Sequence, residues 1–157
     1  MNKLNVYAEP GKQEIVITRE FDAPRERVFR AHTDPALVAK WWGPAHMHIT
    51  IETLDAKPGG LWRYVHRSDD GAEYIHFGVF HEAAAPERLI YTYELAGMGG
   101  GPGIVTLSLE ERDGKTAITE TSLYPSVEVR DAVVQSGMEG GAAESYDRME
   151  ELLKTLA

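Results

Sequence analysis

From His46 to Leu123 the chain reads with a two-residue period, interrupted only by short turns. Met47, Ile49 and Ile51 alternate with His48, Thr50 and Glu52. Turn-forming residues then separate further runs at Leu61–Arg67, Ala72–Glu82, Leu89–Leu95, Ile104–Glu111 and Thr116–Leu123. None of the breaks can hold a crossover helix, so successive strands must pair antiparallel. Six such strands in a row twist and curl, leaving a concave face that has to be filled. The only long helical pattern lies after Pro125. The expectation is an α+β helix-grip fold, a curved antiparallel sheet holding one long C-terminal helix.

The flanks complete this outline. Met1–Lys12 reads as a flexible lead-in ending in the Pro10-Gly11 turn, and residues 13–157 as one domain. Ile15, Ile17 and Phe21 mark a first strand, bringing the sheet to about seven. Asp22-Ala23-Pro24 and Asp34-Pro35 each place a side-chain acceptor ahead of a proline, the start signal of a helix, and give two short helices. The second ends in Trp41-Trp42-Gly43-Pro44. A helix this short is held by packing alone, and its indoles are the adhesive. Adjacent helical residues point about 100° apart, so one indole should face the concave side while the other packs the core. Spacing does not say which. Beyond Pro125, Ser126 caps a helical piece to about Gln135. A second piece from Met138 to Leu156 carries Ala142, Tyr146, Met149, Leu152, Leu153 and Leu156 at helical spacing.

Turn lengths set which side chains share a face. Asp113-Gly114 reads as a two-residue turn, so Arg112 opposes Lys115. Val105, Leu107 and Leu109 then lie on the same, mostly apolar face as Ile118, Glu120 and Ser122. Glu120 would project inward, where a carboxylate needs a partner or a raised pKa. Taking the Ser68–Gly71 turn with two or four loop residues puts Trp62, Tyr64 and His66 beside Ile75, Phe77 and Val79. On that reading Arg63, Arg67, Tyr74 and His76 face solvent.

Several classes of function are disfavoured. With no cysteine there is no disulfide, thiolate nucleophile or zinc–thiolate site. A net charge of −9 opposes binding to nucleic acid or anionic lipid. No apolar run is long enough to insert in a membrane, and the first residues show no secretory pattern, so a cytoplasmic location is expected. His46 and His48 share a strand face without a third ligand, and no metal site is expected. Gly97–Gly103 lacks the Lys-Ser/Thr of a phosphate loop and reads as a flexible cavity mouth. No nucleophile elbow or cofactor motif is present, and no catalytic residue or cofactor is singled out.

What remains is a cavity between sheet and C-terminal helix. Its candidate lining is Trp41, Trp42, Trp62, Tyr64, His66, Ile75 and Phe77 from the first part of the chain, with Leu107, Glu120, Met138 and Tyr146 from the second. Such a space would take a small hydrophobic or aromatic ligand.

Specific motifs carry a resemblance. Phe21-Asp22-Ala23-Pro24-Arg25-Glu26-x-Val28-Phe29, Thr33-Asp34-Pro35 and Trp41-Trp42-Gly43-Pro44 are followed in order by Pro58-Gly59-Gly60 with Trp62-Arg63, and by Pro86-Glu87-Arg88-Leu89. Together they resemble the activator of Hsp-90 ATPase homologue family, within the START/Bet v 1-like (SRPBCC) superfamily. Arg130-Asp131-Ala132 and Ser136-Gly137-Met138-Glu139-x-Gly141 resemble a bacterial branch of it. The resemblance spans roughly residues 13–157. It implies the helix-grip fold and three roles: a non-catalytic ligand-binding domain, a co-chaperone-like partner of another protein, or a cyclase-like enzyme using Glu120 and His66. Fold alone does not choose between them.

Overall fold

The computed structural model describes residues 2–156. A short strand lies inside the segment read as a lead-in: β1 (Asn5–Tyr7) pairs antiparallel with β2 (Glu14–Phe21), Val6 opposite Ile17. Three residues are too few to show alternation; the open edge of β2 provides the pairing.

Helix α1 (Arg25–Thr33) departs from the expected cap. Pro24, not Asp22, occupies the N-cap position and offers no side-chain bond. The free N–H of Arg25 instead donates to Glu111 Oε1 at 2.7 Å, a carboxylate brought from far along the chain. Helix α2 (Pro35–Trp41) starts as expected, with Asp34 Oδ1 accepting from Ala36 N at 3.0 Å and Pro35 at its first position. It stops one residue early, because Trp42 has an extended backbone and Gly43 lies in the left-handed region at φ +81°.

The remaining elements are β3 (His48–Leu54), β4 (Leu61–Arg67), β5 (Glu73–Ala84), β6 (Arg88–Leu95), β7 (Gly103–Arg112), β8 (Lys115–Leu123), α3 (Val127–Gln135) and α4 (Met138–Leu153). The eight strands form one antiparallel sheet in the order β1-β2-β8-β7-β6-β5-β4-β3. β2 lies beside β8, so the start and the end of the strand run meet. The fold is a helix-grip.

Ser126 Oγ accepts from Val129 N at 3.1 Å and caps α3. After the left-handed Gly137, α4 runs back across the sheet and packs against α1, α2 and α3. Its inner side, Tyr146, Met149, Leu152 and Leu153, meets Ile15, Ile17 and Phe21 of β2, Leu107 and Leu109 of β7, and Ile118 of β8. One inward position of β2 is not apolar. The Arg19 side chain is 1% exposed and is held by Asp147 at 2.7 Å and Glu150 at 2.9 Å, both on α4. This pairing clamps helix to sheet.

Candidate functional site

The two hairpin registers had different outcomes. Asp113 and Gly114 both take positive φ, 55° and 77°, and form the two-residue turn. Arg112 opposes Lys115 and Leu107 opposes Glu120, so Glu120 faces inward as expected. At the other hairpin Ser68 N donates to Ala72 O at 3.0 Å, leaving a three-residue loop with Gly71 at φ +89°. The odd loop inverts the expected pairing. Tyr64 stands opposite His76 and His66 opposite Tyr74, while Ile75 and Phe77 pair with Val65 and Arg63 on the outer face. Ile75 and Phe77 are therefore not lining residues, and His76 points inward rather than to solvent. The run Asp69-Asp70-Gly71 carried the signal, since a glycine at the third position suits a three-residue loop.

Trp41 and Trp42 divide between core and concave face, though not by helical rotation, since Trp42 lies beyond the end of α2 with an extended backbone. Trp41 is buried, its Nε1 donates to Ala31 O at 2.8 Å, and its ring stacks on Tyr146 with centroids 5.8 Å apart. It belongs to the packing of α2 against α1 and α4. Trp42, just past the end of α2, turns its half-buried ring onto the concave face. There its centroid lies 6.4 Å from Trp62, 5.1 Å from Tyr64, 5.2 Å from His66 and 4.8 Å from His76. Trp62 in turn lies over Gly78, its partner across β4 and β5, and donates to Thr92 O at 3.0 Å. A side chain at Gly78 would collide with both Trp62 and the Thr92 carbonyl. Tyr91 and Tyr93 extend the aromatic surface at 5.8 Å from Trp62.

A polar chain runs through these rings. His66 Nε2 lies 3.4 Å from the Trp42 carbonyl, and His66 Nδ1 lies 3.2 Å from His76 Nε2. His76 Nδ1 lies 2.6 Å from Tyr93 Oη. Burial lowers the pKa of both histidines, that of His76 to about 4, with His66 beside it adding to the effect. Both imidazoles are neutral at pH 7.

Deeper under α4, Tyr146 donates its hydroxyl to Glu120 Oε1. Burial pushes the Glu120 carboxyl up, against the opposing pull of that bond. Tyr91 and Tyr124 also lie close enough to feel its charge, and burial raises the pKa of Tyr64, Tyr91, Tyr93 and Tyr124. All four keep neutral hydroxyls at pH 7. Glu120, Tyr91, Tyr93 and Tyr124 are surrounded by protein yet retain intermediate surface exposure. Leu107, beside Glu120, is sealed at 1% exposure, and Met138 sits half-buried at the start of α4. Glu120 and His66 are not brought together: each is engaged by different partners, and four inter-strand steps separate β8 from β4.

The segment that carries Trp42 is tied to α4. Gly43 N donates to Ser145 Oγ at 3.0 Å and Ala45 N to Glu144 Oε2 at 2.6 Å. Arg148 donates to the carbonyls of Gly43 at 2.7 Å and Lys40 at 2.8 Å. No motif or spacing in the sequence singles out these α4 residues. Glu144 and Arg148 of this latch, with Lys40, Ala143, Asp147 and Glu151, also line an open surface groove of about 880 Å³. Among the described residues no three potential metal ligands cluster, and no helix is long and apolar enough to cross a membrane.

Comparison with known proteins places this architecture. The chain is 29% identical to a Rhodobacter sphaeroides protein of known crystal structure, over 98% of this chain and 100% of that one, with a TM-score of 0.89. An Arthrobacter aurescens protein solved in solution is 27% identical over 98% of this chain and 92% of that one, TM-score 0.88. Protein Ms6760 from Mycobacterium smegmatis, 24% identical over 100% and 99% of the two chains, shares the fold at TM-score 0.89. No curated protein matches the chain. The family model described as Activator of Hsp90 ATPase homolog 1-like protein matches residues 22–154, nearly all of the domain just described, and the chain belongs to that family.

Proposed function

We propose that this chain is a cytoplasmic binding domain for a small aromatic molecule, held on the concave face between the sheet and α4. One observation carries the reading: Trp42, Trp62, Tyr64 and Tyr91 gather on one inward face, and the same face presents the Glu120 carboxyl, which accepts from Tyr146 but has no cation among the described residues beside it. A purely structural core gains nothing from a carboxylate, which costs several kcal/mol to bury without a cation. Aromatic walls with a few polar groups among them are the usual build of a small-molecule site. The intermediate exposure of Glu120, Tyr91 and Tyr93 at depth supports unfilled space beside them. Trp42 packs against His66 and His76 over that face, so its ring lies on the proposed entry route.

The test is a titration with a panel of hydrophobic and aromatic compounds, followed by tryptophan fluorescence and backbone amide NMR. Saturable shifts centred on Trp42, Trp62, His76 and Glu120 are expected. No saturable shift across the panel, or shifts confined to the outer groove beside Lys40 and Glu151, would overturn the proposal.

A further inference from the structure

The chain of contacts from Trp42 to Tyr93 has a direction, and the direction restricts the ligand. A backbone carbonyl can only accept a hydrogen bond, so His66 must carry its proton on Nε2, which faces the Trp42 oxygen. A neutral imidazole has one N–H, and His66 Nδ1 is then an acceptor. It faces His76 Nε2, which must therefore be the protonated nitrogen of His76. His76 Nδ1 is left as an acceptor, 2.6 Å from Tyr93 Oη, and the Tyr93 hydroxyl donates to it. The opposite sequence of tautomers would set the His66 lone pair against the lone pairs of the Trp42 carbonyl in a buried place. Arg148, the nearby cation, does not compete, because its Nη1 and Nη2 serve the Gly43 and Lys40 carbonyls.

Tyr93 shares the inward face with Tyr91, lies close to Tyr124, and stays half-buried. Burial holds its phenol protonated, and that proton is committed to His76. Only oxygen lone pairs are left for anything that enters.

We infer that Tyr93 is a specificity-determining acceptor: the bound aromatic molecule presents a hydrogen-bond donor, a hydroxyl or N–H, to Tyr93 Oη. The inference rests on the ligand-binding reading above. An aryl ether of the same shape would bring lone pairs against lone pairs and be rejected, because a site built around one hydrogen-bond polarity discriminates strongly against its lack.

Two measurements decide it. Long-range ¹H–¹⁵N spectra of the free protein at pH 7 are expected to show both His66 and His76 as Nε2–H tautomers, and an Nδ1–H form at either ring overturns the relay whether or not any compound binds. In binding, 2-naphthol is expected to be held about tenfold more tightly than 2-methoxynaphthalene. Tyr93→Phe should collapse that ratio toward one, weakening 2-naphthol and relieving the ether of the lone-pair repulsion. Equal affinities in the unmodified protein, or a preference that survives in Tyr93→Phe, overturn the inference. If neither compound nor any other of the panel binds, it is the ligand reading that fails, and the tautomers still report on the relay.

Discussion

Glu120→Gln should make this protein more stable at neutral pH, although it removes no strain and fills no cavity. Gln has the shape of protonated Glu, and its Oε1 can still accept the Tyr146 hydroxyl, so what changes is the ability to ionise. Burial raises the Glu120 carboxyl above its ordinary 4.5. The native state therefore binds more protons than the unfolded chain between 4.5 and the raised value. Wild-type stability falls as pH climbs through that interval and levels off above it. Each tenfold of proton affinity that folding adds is worth about 1.4 kcal/mol at neutral pH. In a chain of 157 residues that moves the melting temperature by about 3–5 °C. Thermal and urea unfolding of both proteins from pH 4 to pH 8 reads the difference. The variant should match wild type at pH 4 and exceed it increasingly above pH 5. A variant that is less stable at pH 8, or one offset from wild type equally at every pH, would refute the reasoning.

The other predictions concern the helix clamp and the paired indoles. Arg19→Met leaves Glu150 buried without its cation and should cost about 3–5 kcal/mol in urea unfolding, whereas Arg19→Met combined with Glu150→Met should recover most of that loss. Trp41→Ala removes a buried ring stacked on Tyr146 and should cost about 3–5 kcal/mol. Trp42→Ala should cost clearly less, since its ring is half-buried beyond the helix end, and it should speed ligand entry in stopped-flow fluorescence; equal costs for the two would contradict their assigned roles.

Much of the architecture was legible because its signals are local. Asp113-Gly114 sets the backbone of a two-residue turn by itself, and the register of β7 and β8 follows from it, with Glu120 on the inner face. Asp34-Pro35 and Ser126 fix helix starts through bonds two or three residues away. The same locality explains the errors. A loop of three residues rather than two or four at Ser68–Ala72 moved Ile75 and Phe77 outward and His76 inward, because a one-residue change flips every side chain of the following strand. Asp22 gave a valid cap pattern, yet Glu111 took the role from across the fold.

By itself, then, the sequence determined the curled antiparallel sheet, the helix that fills it, the family, and the inward placement of Glu120, since period and turn chemistry act over a few residues. Tertiary structure alone decided the rest. It added β1 along the edge of β2, and it turned an inward arginine on β2 into a clamp on α4 128 and 131 residues later. It also chose between the two indoles. Trp41 ends the helix and packs inside, while Trp42, one residue beyond, swings over the sheet to His66 and His76. These outcomes depend on groups distant in sequence meeting in space, and no local pattern encodes that meeting.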